Sequence, residues 1–213
     1  MSGYFKTSGY FKRRIKQPPE EIFLRCGYLG VAPTKWLLVV YTATQKMELF
    51  VKENFKRPKH SNPVKSFFPQ RNLYKLVKTM LISTSRFGTG QVEGSYKTPL
   101  GLHRIAKKIG AGFPPGTVFK AREPIGYVWK GFPDATIVHR IMWLEGLEPG
   151  FNRGDNVDSF KRYIYIHGFS DETTLGRTMS FGCIHIGSDD LLPLFDVLPE
   201  GTLVFITEKC KSI

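Results

Sequence analysis

Long apolar runs are missing from this 213-residue chain. The longest, Trp36-Leu37-Leu38-Val39-Val40-Tyr41, falls far short of the roughly 20 residues a bilayer-crossing helix needs, and it reads as a strand. A secretory leader is not visible either. Arg13-Arg14 runs into Ile15-Lys16-Gln17-Pro18-Pro19 with no apolar stretch behind it. Cysteine is scarce, with three residues, and no Cys/His pair has metal-ligand spacing, so neither a metal site nor a cofactor is expected. Acidic residues are scarce in one region. Residues 1–130 hold 24 Lys/Arg against 6 Asp/Glu, whereas residues 131–213 hold 7 against 12. A basic surface of this kind can meet a polyanion or simply stay solvated. No helix-turn-helix, zinc-finger spacing or RNA-stacking aromatic motif accompanies the charge, so nucleic acid is disfavoured as a partner.

What is present points to a β-rich domain. Ser2-Gly3-Tyr4-Phe5-Lys6 recurs as Ser8-Gly9-Tyr10-Phe11-Lys12, and residues 1–17 read as a basic, flexible tail ahead of a single domain over 18–213. Pro18-Pro19-Glu20-Glu21 opens a short helix, with proline and acids where the first turn favours them, and Gly27, Gly30 and Pro33 end it. Trp36–Thr42 and Met47–Lys52 read as a hairpin, and Leu73–Ser83 as a half-buried strand. The stretch 53–70 between them reads as a basic loop. Gly88-Thr89-Gly90 lacks the Gly-Lys-Ser/Thr ending of a phosphate loop. Residues 110–116 make a second glycine- and proline-rich loop, Thr136–Leu144 a strand, and Glu145–Asp158 a polar loop. Ser188-Asp189-Asp190 caps a second short helix, in which Pro193 is tolerable within about the first turn. Cys26 and Cys210 lie near opposite ends; they could pair, but two buried or idle thiols are the simpler reading.

The chemistry concentrates in the C-terminal third. Tyr163-Ile164-Tyr165-Ile166-His167-Gly168 reads as a buried strand that delivers a histidine to its tip. Sixteen positions after His167, Ser180-Phe181-Gly182-Cys183-Ile184-His185-Ile186 carries a cysteine on a second strand-like run. A thiol beside an imidazole is the minimum for thiolate catalysis. A lone buried Cys or strand-end His is more often structural, and Tyr163 and Tyr165 alternate with isoleucines as packing residues do. His103 and His139 are not connected to this pair.

This pattern resembles the L,D-transpeptidase catalytic domain (the YkuD-like family), whose signature is His-Gly, a polar stretch, then Ser-His-Gly-Cys-(Ile/Val)-Arg. Thr98-Pro99-Leu100-Gly101 matches the family's Thr-Pro-x-Gly turn. Asp158–Gly168 and Gly201–Ile206 are similar to its approach to the histidine and its closing strand, so the likeness spans about 36–207. Phe181 stands where the family usually has His, and His185 where it has Arg. The resemblance implies a mixed β-sandwich with one or two short helices. It also implies a cysteine acyltransferase that releases terminal D-alanine from peptidoglycan stem peptides through a thioester and forms 3→3 cross-links. An L,D-carboxypeptidase and an inactive wall-binding module are the alternatives. On this reading Cys183 is the nucleophile and His167 the base, oriented by a backbone carbonyl. Gly182 and Cys183 supply oxyanion N–H groups, and Ser180 and Gly168 complete the catalytic set. Phe181, His185, Tyr165 and Phe169 would line the substrate. A monomer in the cell envelope or periplasm is implied, its basic half near anionic wall polymer or membrane.

Overall fold

The computed structural model describes residues 16–53 and 73–209. The N-terminal repeat, nearly all of the basic loop and Cys210 lie outside the described residues. Among the described residues, ten strands and two short α-helices make the domain mainly β. In chain order they are α1 (Glu20–Leu29), β1 (Trp36–Tyr41), β2 (Lys46–Lys52), β3 (Tyr74–Ser83), β4 (Gly101–Ile109), β5 (Thr117–Lys120), β6 (Glu123–Tyr127), β7 (Val138–Gly146), β8 (Tyr165–Gly168), β9 (Ile184–Ile186), α2 (Ser188–Val197) and β10 (Leu203–Thr207).

The sheet runs β4-β10-β1-β2-β3-β9-β8-β7-β5-β6, and β4 also pairs with β7. That extra pairing closes eight strands into a ring and leaves the β5–β6 hairpin projecting from β7. β1–β10 and β8–β9 pair in parallel and the others antiparallel, so the sheet is mixed.

Alternation along the strands sorts side chains onto two surfaces. Inside the ring lie Leu38, Val40, Met47, Ile82, Ile105, Met142, Leu144, Ile166, Ile184, Ile186, Val204 and Ile206, with Leu191, Leu194 and Phe195 of α2. Burial at roughly 25 cal/mol per Å² of apolar surface makes this cluster the main source of stability. Outside, α1 lays Ile22 and Cys26 over Leu37, Val39, Phe50, Leu102 and Phe205. A second outer patch, Phe119, Ile141, Trp143 and Tyr165, lies on β5, β7 and β8, and Cys183 packs against its edge.

The hairpin, the β3 strand and both helices fall where the residue pattern places them. α1 ends at Gly30 in the left-handed conformation, with its N–H on the Cys26 and Gly27 carbonyls. Three expectations change. Cys183 precedes β9 and is not on a strand, and Tyr163, at φ +56°, lies in the turn before β8. β7 runs to Gly146, two residues into the expected polar loop, because Glu145 and Gly146 pair with Arg104 and His103. Pro193 sits in the second turn of α2, whose N-cap is Gly187. Glu172, not a capping serine, accepts from the Ser188 N–H at 2.7 Å.

Candidate active site

β8 and β9 run parallel with Ile166 opposite Ile184 and His167 opposite His185. Since the isoleucines point into the core, Tyr165, His167, Cys183 and His185 share the outer surface. His167 is buried, and its Nδ1 lies 2.8 Å from the Gly168 carbonyl. Only a protonated Nδ1 can donate to a carbonyl, so this contact assigns the proton to Nδ1 and leaves Nε2 as an acceptor. Burial pushes the imidazole down to about 4, against a smaller upward pull from the Gly168 carbonyl.

Gly168 is glycine for a steric reason. A Cβ there would lie 2.6 Å from His139 Cδ2 and 2.8 Å from the Val138 carbonyl. β7 is bulged at this point: the register with β8 slips between Val138 and Ile141, and His139 sits at φ +70°. His139 accepts from the Gly116 N–H at 2.8 Å, and burial lowers its pKa. Although unconnected with the chemistry in the sequence reading, it packs directly behind the His167-Gly168 step.

The cysteine is held by loops. Ser180 is fully buried; its Oγ donates to the Cys183 carbonyl at 2.6 Å and accepts from the Gly182 N–H at 3.2 Å. Its backbone is stitched to Thr84 and Arg86, with Ser180 N–H on the Thr84 carbonyl at 3.0 Å and Arg86 N–H on the Ser180 carbonyl at 3.1 Å. The Gly182 N–H, expected as an oxyanion donor, meets Ser180 Oγ in this structure, whereas the Cys183 N–H makes no hydrogen bond in that turn. Gly182 itself, at φ +120°, adopts a conformation that side chains avoid, and a Cβ would come within 3.3 Å of the Lys97 carbonyl.

The Cys183 thiol is half-buried, with Sγ 3.5 Å from the Tyr163 carbonyl. Burial pushes it up to about 11, opposed by a backbone contact at Tyr165 and by the positive charge of Arg162. Burial thus favours the neutral form of both the thiol and the imidazole.

The residues expected to line a substrate differ in access. Phe181 is exposed, 5.8 Å from Phe87 and 5.9 Å from Tyr96 between ring centroids, with the Arg86 guanidinium 4.1 Å above it. Tyr165 and Phe169 are buried. Phe169 packs against His185 at 4.5 Å, so it backs the wall of the site and presents no open face. The His185 ring lies 4.8 Å from His167, and burial with that neighbour holds it down to about 3. Its buried Nδ1 has no hydrogen-bond partner among the described residues. A neutral imidazole replaces neither the charge nor the donor fork of an arginine. His103 lies apart, buried between the Gly101 carbonyl and Ser159 Oγ, each at 3.0 Å, and is held down to about 4.

One residue of the site escaped the sequence reading. Arg162, half-buried, donates to the carbonyls of Gly90 at 3.3 Å, Gln91 at 2.7 Å and Lys97 at 2.7 Å. Its partners are backbone atoms 65 to 72 positions away, which no side-chain pattern announces.

Residues 38–206 match the L,D-transpeptidase catalytic domain, YkuD. The chain belongs to the L,D-transpeptidase catalytic-domain family. Among curated relatives, YqjB of Bacillus subtilis, itself carrying a provisional L,D-transpeptidase name, is 40% identical over 47 residues, 22% of this chain and 27% of that one. YkuD of Bacillus licheniformis, also provisionally named, is 38% identical over 47 residues, 22% and 28% of the two chains. These matches span little more than a quarter of the curated relatives. Among solved structures, L,D-transpeptidase 3 of Mycobacterium tuberculosis is similar at 14% identity and a TM-score of 0.45, over 82% of this chain and 61% of that one. Bd1075 of Bdellovibrio bacteriovorus is similar at 13% identity and a TM-score of 0.47, over 82% and 48%.

Proposed function

We propose that this family member is a cysteine-dependent L,D-transpeptidase acting on peptidoglycan stem peptides, with Cys183 as nucleophile and His167 as base. The observation that carries the reading is the 2.8 Å contact of His167 Nδ1 with the Gly168 carbonyl, which leaves Nε2 free on the sheet surface shared with Cys183.

The donor would be a stem whose third residue, a diamino acid, is joined through its L-centre to a terminal D-alanine. Cys183 Sγ attacks that carbonyl carbon as His167 Nε2 takes the thiol proton. The Cys183 N–H, outside the Ser180 turn, meets the developing oxyanion, and one such donor typically lowers a barrier by about 2.7–4 kcal/mol. Collapse breaks the carbon–nitrogen bond, and the imidazolium returns the proton to the departing amine of D-alanine, leaving a thioester. The side-chain amine of a second stem then attacks the thioester and gives up a proton to His167. The restored carbonyl expels the Cys183 thiolate, which is reprotonated, and a 3→3 cross-link remains. Water as acceptor would make the same site an L,D-carboxypeptidase.

Ser180 acts on this reading by shaping the nucleophile turn, and Gly168 by presenting the carbonyl that orients the base. The imidazole is held neutral down to about pH 4, so the base is ready throughout the neutral range.

The test is D-alanine release from a tetrapeptide stem. Cys183→Ala and His167→Ala are expected to abolish it, and exposure to a carbapenem should add one covalent mass at Cys183 in the intact protein. Full turnover by Cys183→Ala would overturn the reading. No turnover by the wild type, with salt-sensitive binding to purified sacculi that Cys183→Ala leaves unchanged, would favour a wall-binding module.

A further inference from the structure

The geometry points to Arg162 as a positioning residue for the nucleophile: one guanidinium straps the 90–97 loop over the Gly182-Cys183 turn and sets its positive charge beside that turn.

Three observations converge. The guanidinium reaches the carbonyls of Gly90, Gln91 and Lys97, both ends of the loop that overlies the cysteine turn. The Lys97 carbonyl it grips at 2.7 Å is the atom against which Gly182 is fitted, since a Cβ on Gly182 would lie 3.3 Å from it. The strap and the nucleophile turn therefore meet through one carbonyl oxygen. Finally, Arg162 forms no ion pair among the described residues. All three of its described hydrogen bonds go to neutral carbonyls, which orient the charge without cancelling it.

The other charged and titratable groups around the thiol do not duplicate this. His167 and His185 are neutral, as described above. Arg86 is spread over the Phe181 ring, and Arg122 lies over Trp143 and Tyr163 at 5.1 and 5.0 Å. Burial raises the Tyr165 phenol above its ordinary value, so it carries no charge at neutral pH. Glu93 is the acid that interacts with Arg162, and it draws on the same charge. The attraction between Arg162 and Cys183 is felt at both groups: it opposes the burial that raises the thiol and the burial that lowers the guanidinium. A positive charge here offsets part of the desolvation that otherwise keeps the thiol protonated.

This assignment builds on Cys183 as the nucleophile, but its test needs no stem peptide, so its failure is separable from failure of the transpeptidase reading. The rate at which iodoacetamide, a neutral reagent, alkylates Cys183 is measured by peptide mass spectrometry between pH 7 and 9. Below the thiol pKa that rate is proportional to the thiolate fraction. Loosening the strap and removing the charge act in opposite directions, because an opened loop speeds alkylation and a rarer thiolate slows it. Arg162→Gln is expected to slow alkylation about tenfold at fixed pH, the equivalent of about one pKa unit, even as hydrogen exchange in residues 90–97 quickens. Arg162→Lys, which keeps the charge and loses the planar fork, should stay within about threefold of wild type while showing the same quickened exchange. Alkylation by Arg162→Gln as fast as wild type or faster would overturn the proposal. Should Arg162→Gln not fold, the lysine variant decides alone: a tenfold slowing with the charge retained would equally overturn it.

Discussion

His167 and Cys183 open onto one surface of the sheet, yet the two are held by different kinds of structure. His167 sits on a strand between two others, its ring backed by a bulge in β7 and its Nδ1 fixed by the carbonyl of the next residue. Cys183 sits just ahead of its strand, in a turn closed by Ser180 Oγ, pinned from outside by Thr84 and Arg86 and abutted by the Lys97 carbonyl. On the proposed roles, the base is specified locally and by sheet register, while the nucleophile depends on segments more than 60 residues away in sequence. The base side should therefore be stiff, sensitive to volume and sensitive to pH. The nucleophile side should tolerate change at its exposed rim and respond to loss of its long-range straps.

The largest effect expected from this contrast is on stability in acid. His103 and His167 are held at about 4 and His185 at about 3, each from a usual value of 6.5 and each chiefly by burial. Between those limits the unfolded chain binds protons that the folded chain refuses. Stability is thus fully present above about pH 6.5 and is lost as pH falls toward 4. Each such histidine contributes about 1.4 kcal/mol per pH unit across its window. All three lie on strands, whereas the groups that bind the nucleophile loops together do not titrate there: Ser85, whose N–H donates to Thr98 Oγ1 at 3.0 Å and whose Oγ donates to the Tyr96 carbonyl at 2.6 Å, Ser180 and Arg162. Denaturant midpoints measured from pH 7 to 4 should fall with a slope of more than one proton. His185→Phe, which keeps a ring against Phe169, should reduce that slope by about one. A flat profile would show that these rings are not buried neutral in solution.

Gly168→Ala probes the volume of the base side. The new methyl group meets His139 Cδ2, the Val138 carbonyl and, at 3.1 Å, Leu191 Cδ2. Relief of such overpacking costs about 1–3 kcal/mol, and for a chain of this size the thermal midpoint should fall by roughly 2–4 °C per kcal/mol. Because Gly168 carries the carbonyl that orients His167, D-alanine release should fall further than stability does, by about a hundredfold for a displacement near 1 Å. A variant with wild-type turnover would show that the Nδ1 contact is dispensable.

The same contrast explains what could be read from the residues alone. The His167-Gly168 step and Cys183 were legible because both lie in short motifs beside β-branched runs. β1, β2 and β3 were legible because one face of each meets the core and the residue pattern records it. β4 was not: it begins on a glycine and ends in Lys107-Lys108-Ile109, and those basic residues obscure a strand bonded on both sides. The outermost pair was missed for the opposite reason. β6 carries Pro124 and Gly126 and has exposed or half-buried side chains throughout, so no apolar alternation marks it. Ser180, which the resemblance puts in the catalytic set, spends its hydroxyl on two hydrogen bonds within the cysteine turn. Arg162 could not have been found, since its role is carried by backbone carbonyls brought to it by the fold.

The smallest effect is expected at Phe181, on the rim of the nucleophile side. Its ring is 57% exposed and meets Phe87, Tyr96 and Arg86, all reached through solvent-facing contacts. No backbone hydrogen bond of the Ser180–Cys183 turn passes through its side chain. Phe181→Ala should therefore change stability by less than about 1 kcal/mol, in keeping with surface substitutions and the modest worth of an exposed aromatic pair. Release of D-alanine from the donor stem should stay within tenfold of wild type, because donor attack, on the proposed mechanism, relies on Cys183, His167 and the turn behind them. Any change should be larger in the partition between cross-linking and hydrolysis, which depends on what reaches the thioester from outside. Measuring dimer and hydrolysed product in one reaction separates these outcomes. A fall in donor turnover as deep as that of Gly168→Ala would mean that the rim ring governs the thiol itself, and the division between a stiff base side and a tolerant rim would not stand.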